Sequence, residues 1–438
     1  MKKFISKSLL YKSGIASIDQ AFLSGLNFLI SIVLIKIVSK PEYGYYSIFF
    51  SIILLMGSFQ NAVINAPLAV LLITKKGDEK RKYVGSLFFG QNLFLFLLAF
   101  IGIFGGLITW YFNLLESNLA VIIVAISLAF IGVLLREFLR AYFFADETPK
   151  TVLIIDVLYV VLFIILGYLA YIISQLNVAA VFFLMGLSSF LVGIFFIKSN
   201  KWNFSRSDIK SSYSENWKYG KWALFGVTVT HIQTYSYLYL LGIIVSTAAV
   251  ADVSAARLLL MPLILVQEGW SKVILPHGSK LREEDRLPRL FKEQIIISIA
   301  FVIVVISLVL ALIFFKPFLL KIVLSDKYEN SFDYIFYWGT IFLMGFISLN
   351  ASFGLQVLKS FEVISKVNFV TMIVTLFFAY FLIYSNGIIG GLIALLIGQT
   401  ISAIILWYFY TKATFIKKPI NYKQIEIVDD VTEKNTIN

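Results

Sequence analysis

Apolar segments long enough to cross a bilayer follow one another along almost the whole of this 438-residue chain. A spanning helix needs about 20 apolar residues and, with its connection, occupies about 35, which leaves room for about a dozen spans. Only 14% of the residues are charged, whereas a water-soluble domain has about 25%. The sequence therefore excludes a water-soluble enzyme and predicts an all-α polytopic membrane protein.

Twelve apolar runs of spanning length can be placed on the sequence. They cover residues 14–37, 45–74, 84–112, 119–145, 151–174, 178–197, 222–245, 249–276, 294–316, 333–358, 367–384 and 388–411. A long polar segment separates the sixth run from the seventh. We therefore predict an N-terminal six-helix bundle over 1–197, a cytoplasmic linker over 198–221, a C-terminal six-helix bundle over 222–411 and a cytoplasmic tail over 412–438.

Lysine and arginine residues concentrate at one end of these spans. With twelve spans, 28 of the 37 basic residues fall at the two termini and in the even-numbered connections. Because Lys and Arg favour the cytoplasmic side of a membrane, this asymmetry predicts that both termini are cytoplasmic. It also explains the net charge of +12 without nucleic acid, since the basic loops are scattered and lack the aromatic residues that stack on bases.

The two halves of the chain share weak matches at a nearly constant spacing. Tyr11-Lys12-Ser13-Gly14 precedes the first span, and Trp217-Lys218-Tyr219-Gly220 precedes the seventh. The segments 39–47 and 246–254 follow at an offset of 207 residues. Six spans per half is an even number, so the repeats have the same orientation and are parallel. This arrangement is typical of transporters whose pathway lies between the halves.

Basic residues inside the spans are candidates for substrate binding, since a charge in hydrocarbon costs at least about 2.5 kcal/mol. Arg257 on the eighth span and Lys36 on the first could face a cavity and attract a phosphate head group. Arg136 on the fourth span is a third candidate. A structural ion pair with Asp156 is its alternative role.

Amide side chains form a second group of candidates. Asn61 and Asn65 on the second span stand at i and i+4, which places them on one face of a regular helix, and Asn27 on the first span is a weaker candidate. These amides could bind sugar hydroxyls, or they could hydrogen-bond neighbouring helices.

His231 and Asp19 are the candidates for ion coupling. An imidazole changes charge near neutrality, so His231 on the seventh span could carry a coupling proton, and a structural hydrogen bond is the alternative. The chain has two His, no Cys and no phosphate-binding glycine loop of the ATPase type. We therefore expect no metal site, no cofactor and no enzymatic activity.

Residues 34–46, LIKIVSKPEYGYY, resemble the turn after the first helix of polysaccharide-exporting flippases. In that family a basic residue precedes a segment of the form L-(G/S)-P-E-(E)-(F/Y)-G-x-Y. Residues 251–263, ADVSAARLLLMPL, look like the counterpart in the second half, with Asp252 where the family has an aromatic residue or glycine. The chain is thus similar to O-antigen flippases of the Wzx type, in the multidrug/oligosaccharidyl-lipid/polysaccharide (MOP) exporter superfamily.

This resemblance implies a V-shaped pair of bundles that works by alternating access. The substrate would be an undecaprenyl-pyrophosphate-linked oligosaccharide, flipped across a bacterial inner membrane for O-antigen or a related polysaccharide. Lys36 matches the family's basic position before the turn, and Arg257 matches the one after the second-half turn. Membrane lipids, a proton or sodium counter-ion and other polysaccharide assembly proteins would be the partners.

Two other functions compete with the flippase. A cation-coupled multidrug exporter of the same superfamily should carry buried acids and an aromatic cleft, whereas the deepest charges predicted here are basic. A membrane-embedded glycan polymerase or ligase should have one large periplasmic loop, and the longest external loop here, near residues 317–333, is short.

Overall fold

The structure is a computed structural model that describes residues 7–197 and 202–415. Every regular element in those ranges is helical, as the sequence predicts. The first half contains α1 (Lys7–Ile37), α2 (Lys40–Gln60), α3 (Ala66–Leu71), α4 (Gly77–Tyr111), α5 (Ser117–Ala145), α6 (Pro149–Ile172) and α7 (Val178–Ile197). The second contains α8 (Arg206–Ile244), α9 (Thr247–Leu259), α10 (Met261–Glu283), α11 (Leu287–Phe314), α12 (Lys316–Ile322), α13 (Ile335–Val357) and α14 (Phe361–Phe415).

Nine helices in the described ranges are long and apolar enough to cross a membrane, or ten if α9 and α10 form one bent span. The sequence predicts twelve, and α14 explains part of the difference. Its 55 residues contain Gly387 at φ 57°, a conformation that glycine adopts freely. Gly390 lies against Leu382, and Gly398 against Thr375, so α14 folds back on itself as two antiparallel helices. These helices correspond to the last two predicted spans.

Helix α8 accounts for the remaining span. It has 39 residues, which is long enough to cross, but its mean hydropathy is too low for it to count among the apolar helices. Polar residues such as Asn216, His231 and Gln233 are buried in the protein rather than exposed to lipid. A helix buried by its neighbours can therefore span a bilayer without an apolar surface of its own.

The structure supports the predicted sequence repeat at one position. Ser39 caps α2 by accepting a hydrogen bond from the Glu42 amide, and Ser246 caps α9 by accepting one from the Ala249 amide. Each serine begins the second span of its half, and the two are 207 residues apart. The cap satisfies a backbone amide that has no partner inside the helix.

The polar segment predicted as a linker is helical over most of its length. Helix α8 begins at Arg206, where the Ser205 side chain accepts a hydrogen bond from the Asp208 amide. Its first turns contact α4 and the π turn at Asn61–Asn65 in the first half, through Tyr213 and Asn216, rather than standing apart from both bundles. The division of the chain into two bundles at 198–221 stays a prediction.

Helix α2 is the main contact between the two halves. It packs along α9 and α8, and the largest buried apolar cluster draws residues from both halves. Gly44 lies so close to Thr247 that a Cβ built on Gly44 would fall 1.9 Å from the Thr247 carbonyl oxygen. We call this contact line the seam. It runs between the two ends of the molecule. The end with the basic connections is called the basic end, and the other is called the opposite end.

Candidate functional site

Arg257 lies in the last turn of α9, directly before a break in the eighth span. Helices α9 and α10 meet at an angle of 55°. Pro262 explains the break, because proline has no amide hydrogen to donate and its ring disfavours helical geometry in the residue before it. The guanidinium group therefore projects from a helix end inside the membrane region.

Two aromatic rings flank the Arg257 guanidinium. Its Cζ atom lies 5.4 Å from the ring centre of Tyr235 on α8 and 5.4 Å from that of Trp338 on α13. Trp338 is held in place because its Nε1 donates to the Val253 carbonyl over 3.1 Å. Tyr237, fully buried, packs edge-on against Trp338 at 5.8 Å. We call Arg257, Tyr235, Tyr237 and Trp338 the Arg257 site.

Arg257 has no carboxylate partner among the described residues, although its side chain is half-buried. Cation–π contact with two rings stabilises the charge only in part. A guanidinium has five N–H donors in a planar fork that fits the oxygens of a phosphate. The site can therefore hold an anionic group without displacing an existing ion pair.

His231 lies one turn from Tyr235 on α8. The two rings stack with centres 4.7 Å apart. The Nε2 atom of His231 is 3.0 Å from the hydroxyl of Tyr239, which is 2.8 Å from the hydroxyl of Ser51 on α2. His231 is thus connected to the Arg257 site through Tyr235 and to the first half through Tyr239.

An ion pair closes the seam at the opposite end. Lys40 donates to the two carboxylate oxygens of Asp252 at 2.7 and 3.0 Å. Ser331 donates to the same carboxylate, and Lys327 donates to the Val38 carbonyl oxygen over 2.5 Å. These bonds join the start of α2 to α9 and to the segment before α13.

The two halves also meet at the basic end, beside a π-helical turn at Asn61–Asn65. A π turn shifts the backbone bonding and leaves carbonyl groups available. Asn216 on α8 donates to the Val63 and Ile64 carbonyl oxygens at 3.2 and 3.4 Å and accepts a hydrogen bond from Tyr83 over 2.6 Å. The two halves are therefore in contact at both ends of the seam.

Lys75 adds a charged contact at the basic end. It lies just after the second span and pairs with Glu79 at 3.1 Å and with Glu215 on α8 at 3.2 Å. Partial burial lowers the pKa of Lys75, but the hydrogen bonds and charges of the two carboxylates outweigh it, and the pKa is raised. Lys75 therefore stays charged at neutral pH and holds the halves together there.

A second charged cluster is buried within the first half. Arg140 on α5 contacts Asp19 of α1 at 2.9 Å, Glu137 at 2.7 Å and Asp156 of α6 at 2.7 Å. Arg136 stacks on Tyr159 at 3.6 Å and lies 3.8 Å from Asp156, so the pairing predicted between Arg136 and Asp156 is present. With every group ionised, three carboxylates would face two guanidinium groups.

The other predicted site residues lie apart from Arg257. Lys36 is exposed on α1, in line with exposed Val33, and forms no ion pair with a described residue. Asn27 is half-buried on the same helix. Asn61 is exposed whereas Asn65 is buried, and the Oδ1 atom of Asn65 has no hydrogen-bond partner in the described part of the chain. No described contact joins these four residues to the Arg257 site.

Two of the predicted site residues, Asp19 and Arg136, lie in the buried charged cluster. A third, His231, lies near Arg257, because both contact the ring of Tyr235. The rings around Arg257 were not identified from the sequence. The run Thr234–Leu241, with a tyrosine at every second position, was the available signal, because so many hydroxyl-bearing rings in a spanning helix need polar partners. Trp338 had no such signal.

Solved transporter structures share this architecture. The lipid II flippase MurJ in an inward closed conformation matches with a TM-score of 0.70 and 16% identity, over 96% of this chain and 99% of that one. An inward-facing multidrug resistance MATE family transporter gives 0.69 and 12%, over 89% and 94%. A MOP superfamily transporter from Pyrococcus furiosus Vc1 gives 0.63 and 12%, over 93% and 95%. The fold is that of a MOP superfamily transporter.

Sequence comparison gives the family. A family model described as "Polysaccharide biosynthesis protein" matches residues 33–333, which is more than half of the chain. The chain belongs to this family, and the resemblance to polysaccharide flippases noted in the sequence is confirmed. No curated protein matches the chain.

Proposed function

We propose that the protein flips an undecaprenyl-pyrophosphate-linked oligosaccharide across a bacterial inner membrane, for O-antigen or a related surface polysaccharide. The Arg257 guanidinium, which has aromatic neighbours and no carboxylate partner among the described residues, is the observation that carries the proposal. Membership of the polysaccharide biosynthesis family and the fold shared with a lipid II flippase support it. Both termini would be cytoplasmic, and the protein would move its substrate without acting as an enzyme.

The chemistry of such a substrate fits a pathway along the seam. Its pyrophosphate and sugars are too polar for hydrocarbon, whereas its long lipid tail is too large to enclose and must stay in the bilayer. The head group would enter when the contacts of Asn216 and Lys75 open at the basic end. It would bind Arg257 and leave when Lys40 separates from Asp252.

The polar groups near Arg257 would complete the head-group site. Arg257 would hold the pyrophosphate, and the amides of Asn61 and Asn65 would contact sugar hydroxyls once the basic end opens around the π turn. Lys36 and Asn27 on α1 would guide the substrate, since α1 carries exposed side chains between Ile18 and Ile37. Arg136 would act by positioning α6 against α5, through Asp156 and Tyr159, rather than by touching the substrate.

A proton or sodium ion would be the counter-ion, and Asp19 is its candidate site in the first half. Asp19 is 1% exposed, and its Oδ1 atom has no hydrogen-bond partner among the described residues. The cluster around it has one more carboxylate than guanidinium, so a monovalent cation would balance its charge. Replacing Asp19 with Asn should abolish the dependence of transport on that ion and leave substrate binding intact.

A deletion strain provides the test of the proposed function. Without the protein, complete lipid-linked repeat units should accumulate in the inner leaflet, and surface glycan should disappear. Complementation with Arg257→Ala should fail at normal protein level, whereas Arg289→Ala, an exposed arginine on α11, should restore glycan fully. Normal surface glycan in the deletion strain, or full activity of Arg257→Ala, would refute the proposal.

A multidrug exporter is the second candidate, because the structure contains the buried acids and aromatic wall that such a protein should have. Two arginines pair with those acids, however, and the cation of the Arg257 site would repel a cationic drug. Drug sensitivity of the deletion strain separates the two candidates. Increased sensitivity with unchanged surface glycan would favour the exporter.

A further inference from the structure

Donor and acceptor roles can be assigned along the chain of hydrogen bonds at His231. The Ser51 hydroxyl donates its single hydrogen to the Ile48 carbonyl oxygen over 2.6 Å. Toward Tyr239 it must therefore accept, so the Tyr239 hydroxyl donates to Ser51 over 2.8 Å. That uses the only hydrogen of Tyr239, and its oxygen must accept from His231 Nε2 over 3.0 Å.

The assignment fixes the tautomer of His231. Nε2 carries a hydrogen in both charge states, so Nδ1 is the nitrogen that gains or loses a proton. Nδ1 has no hydrogen-bond partner among the described residues. The ring can therefore take up a proton without breaking its bond to Tyr239 or the contact of Tyr239 with the first half.

His231 and Arg257 share one neighbour, the ring of Tyr235. The imidazole centre is 4.7 Å from that ring and the guanidinium carbon is 5.4 Å from it. The two groups therefore lie within about 10 Å of each other, where charges in a poorly solvated region still interact. A second positive charge is unfavourable while the site is empty and favourable once a dianion occupies it.

Other charged groups on the helices packed against α8 lie toward their ends. In the described ranges these are Lys40 and Glu42 on α2, Asp78, Glu79, Lys80, Arg81 and Lys82 on α4, Asp252 on α9, and Glu362, Lys366 and Lys412 on α14. The titratable groups in contact with the ring itself are Tyr235 and Tyr239, and the next group along the hydrogen bonds, Ser51, is uncharged. Arg257 is the charged group that shares the Tyr235 ring with His231.

We propose that the Arg257 site binds a pyrophosphate anion together with one proton, which is taken up at Nδ1 of His231. This rests on the proposed function, because it assumes that a pyrophosphate binds at Arg257. Binding and protonation are then reciprocally linked, since the anion favours the imidazolium and the imidazolium favours the anion. His231 is a positioning and charge-balancing residue of the site.

Calorimetry on the purified full-length protein tests the linkage. The probe is synthetic farnesyl-pyrophosphoryl-N-acetylglucosamine, a pyrophosphate diester whose own charge does not change near neutrality. Titrations near pH 6.5 in two buffers of different ionisation enthalpy should show net uptake of a fraction of a proton. The dissociation constant should rise about tenfold between pH 5.5 and pH 8, because His231 loses its positive charge over this range and no longer attracts the bound anion.

Two histidine variants localise the proton. In His231→Gln the amide nitrogen can still donate to Tyr239 but cannot titrate, so proton uptake and the pH dependence should vanish. His277→Gln changes the chain's other histidine, which pairs with Glu293 at 2.7 Å on the surface, and should behave as the wild type.

The outcomes separate this inference from the function on which it rests. Binding by the wild type without proton uptake, or uptake that persists in His231→Gln, would overturn the inference and leave the proposed function standing. Failure of the wild type to bind the probe, or undiminished binding by Arg257→Gln, would overturn the anion site itself. The wild-type measurement alone can give a negative answer, so the test does not depend on the variants folding.

Discussion

At the scale of single residues, the buried charges of this protein play two different roles. Arg140 is surrounded by three carboxylates and neutralises them, whereas Arg257 has aromatic neighbours and no carboxylate. Both are arginines inside the membrane region, and both cost free energy to bury. Only the one without a carboxylate partner is available to a ligand.

Arg140→Met should destabilise the protein strongly. The change leaves the carboxylates of Asp19, Glu137 and Asp156 without their main partner, which costs about 3–5 kcal/mol in comparable buried pairs. Thermal unfolding of the purified protein in detergent measures the loss. Arg289→Met, which breaks an exposed pair with Glu293, should cost at most about 1 kcal/mol. Equal stability of the two variants would show that the cluster does not hold α1, α5 and α6 together.

The sequence was sufficient to pair Arg136 with Asp156, because the two residues lie near each other along the chain at a similar predicted depth. The role of Arg257 in substrate binding stays a prediction. The contact between Arg140 and Asp19 joins residues 121 positions apart, and it depends on how α1 packs against α5. Trp338 reaches Arg257 for the same reason. Such contacts follow from tertiary packing, which hydropathy does not encode.

At the scale of helices, each apolar run of the first half corresponds to one spanning helix. In the second half, three spans differ from that simple pattern. Helix α8 is polar because its neighbours bury it, and α14 combines two spans because only a glycine at φ 57° separates them. The bend between α9 and α10 follows from Pro262. The sequence shows the polar residues, the glycine and the proline, but the burial of α8 and the angles between these helices depend on tertiary packing.

Gly44→Ala should prevent the opposite end from closing. The added methyl group would collide with the Thr247 carbonyl, and the backbone of α9 cannot yield without moving the helix. The distance between spin labels on exposed Leu114 and Phe318, one in each half, should increase. The chain has no native cysteine, so both labels attach only at introduced cysteines.

Gly57→Ala is the matched control on the same helix, because a Cβ at Gly57 would meet no atom within 4 Å. Its spin-label distance should equal that of the unsubstituted protein. An unchanged distance in Gly44→Ala would show that the contact with Thr247 does not determine closure of the opposite end.

At the scale of the whole molecule, the two halves are joined at both ends of the seam. Lys40 and Asp252 join the halves at the opposite end, and Asn216 joins them at the basic end by donating to the carbonyls of the π turn. The Arg257 site lies between these two closures, on elements of the second half. A transporter that exposes one central site alternately to each side needs such an arrangement, since each closure can open while the other holds.

Translocation by the purified protein in liposomes tests this account most directly. A fluorescent undecaprenyl-pyrophosphate-linked sugar is distributed over both leaflets, and an impermeant quencher then reports how fast the inner pool reaches the outside. We predict that the protein accelerates quenching of the inner pool, and that Arg257→Ala liposomes behave like liposomes without protein. Wild-type liposomes with the same slow quenching as protein-free ones would contradict the account.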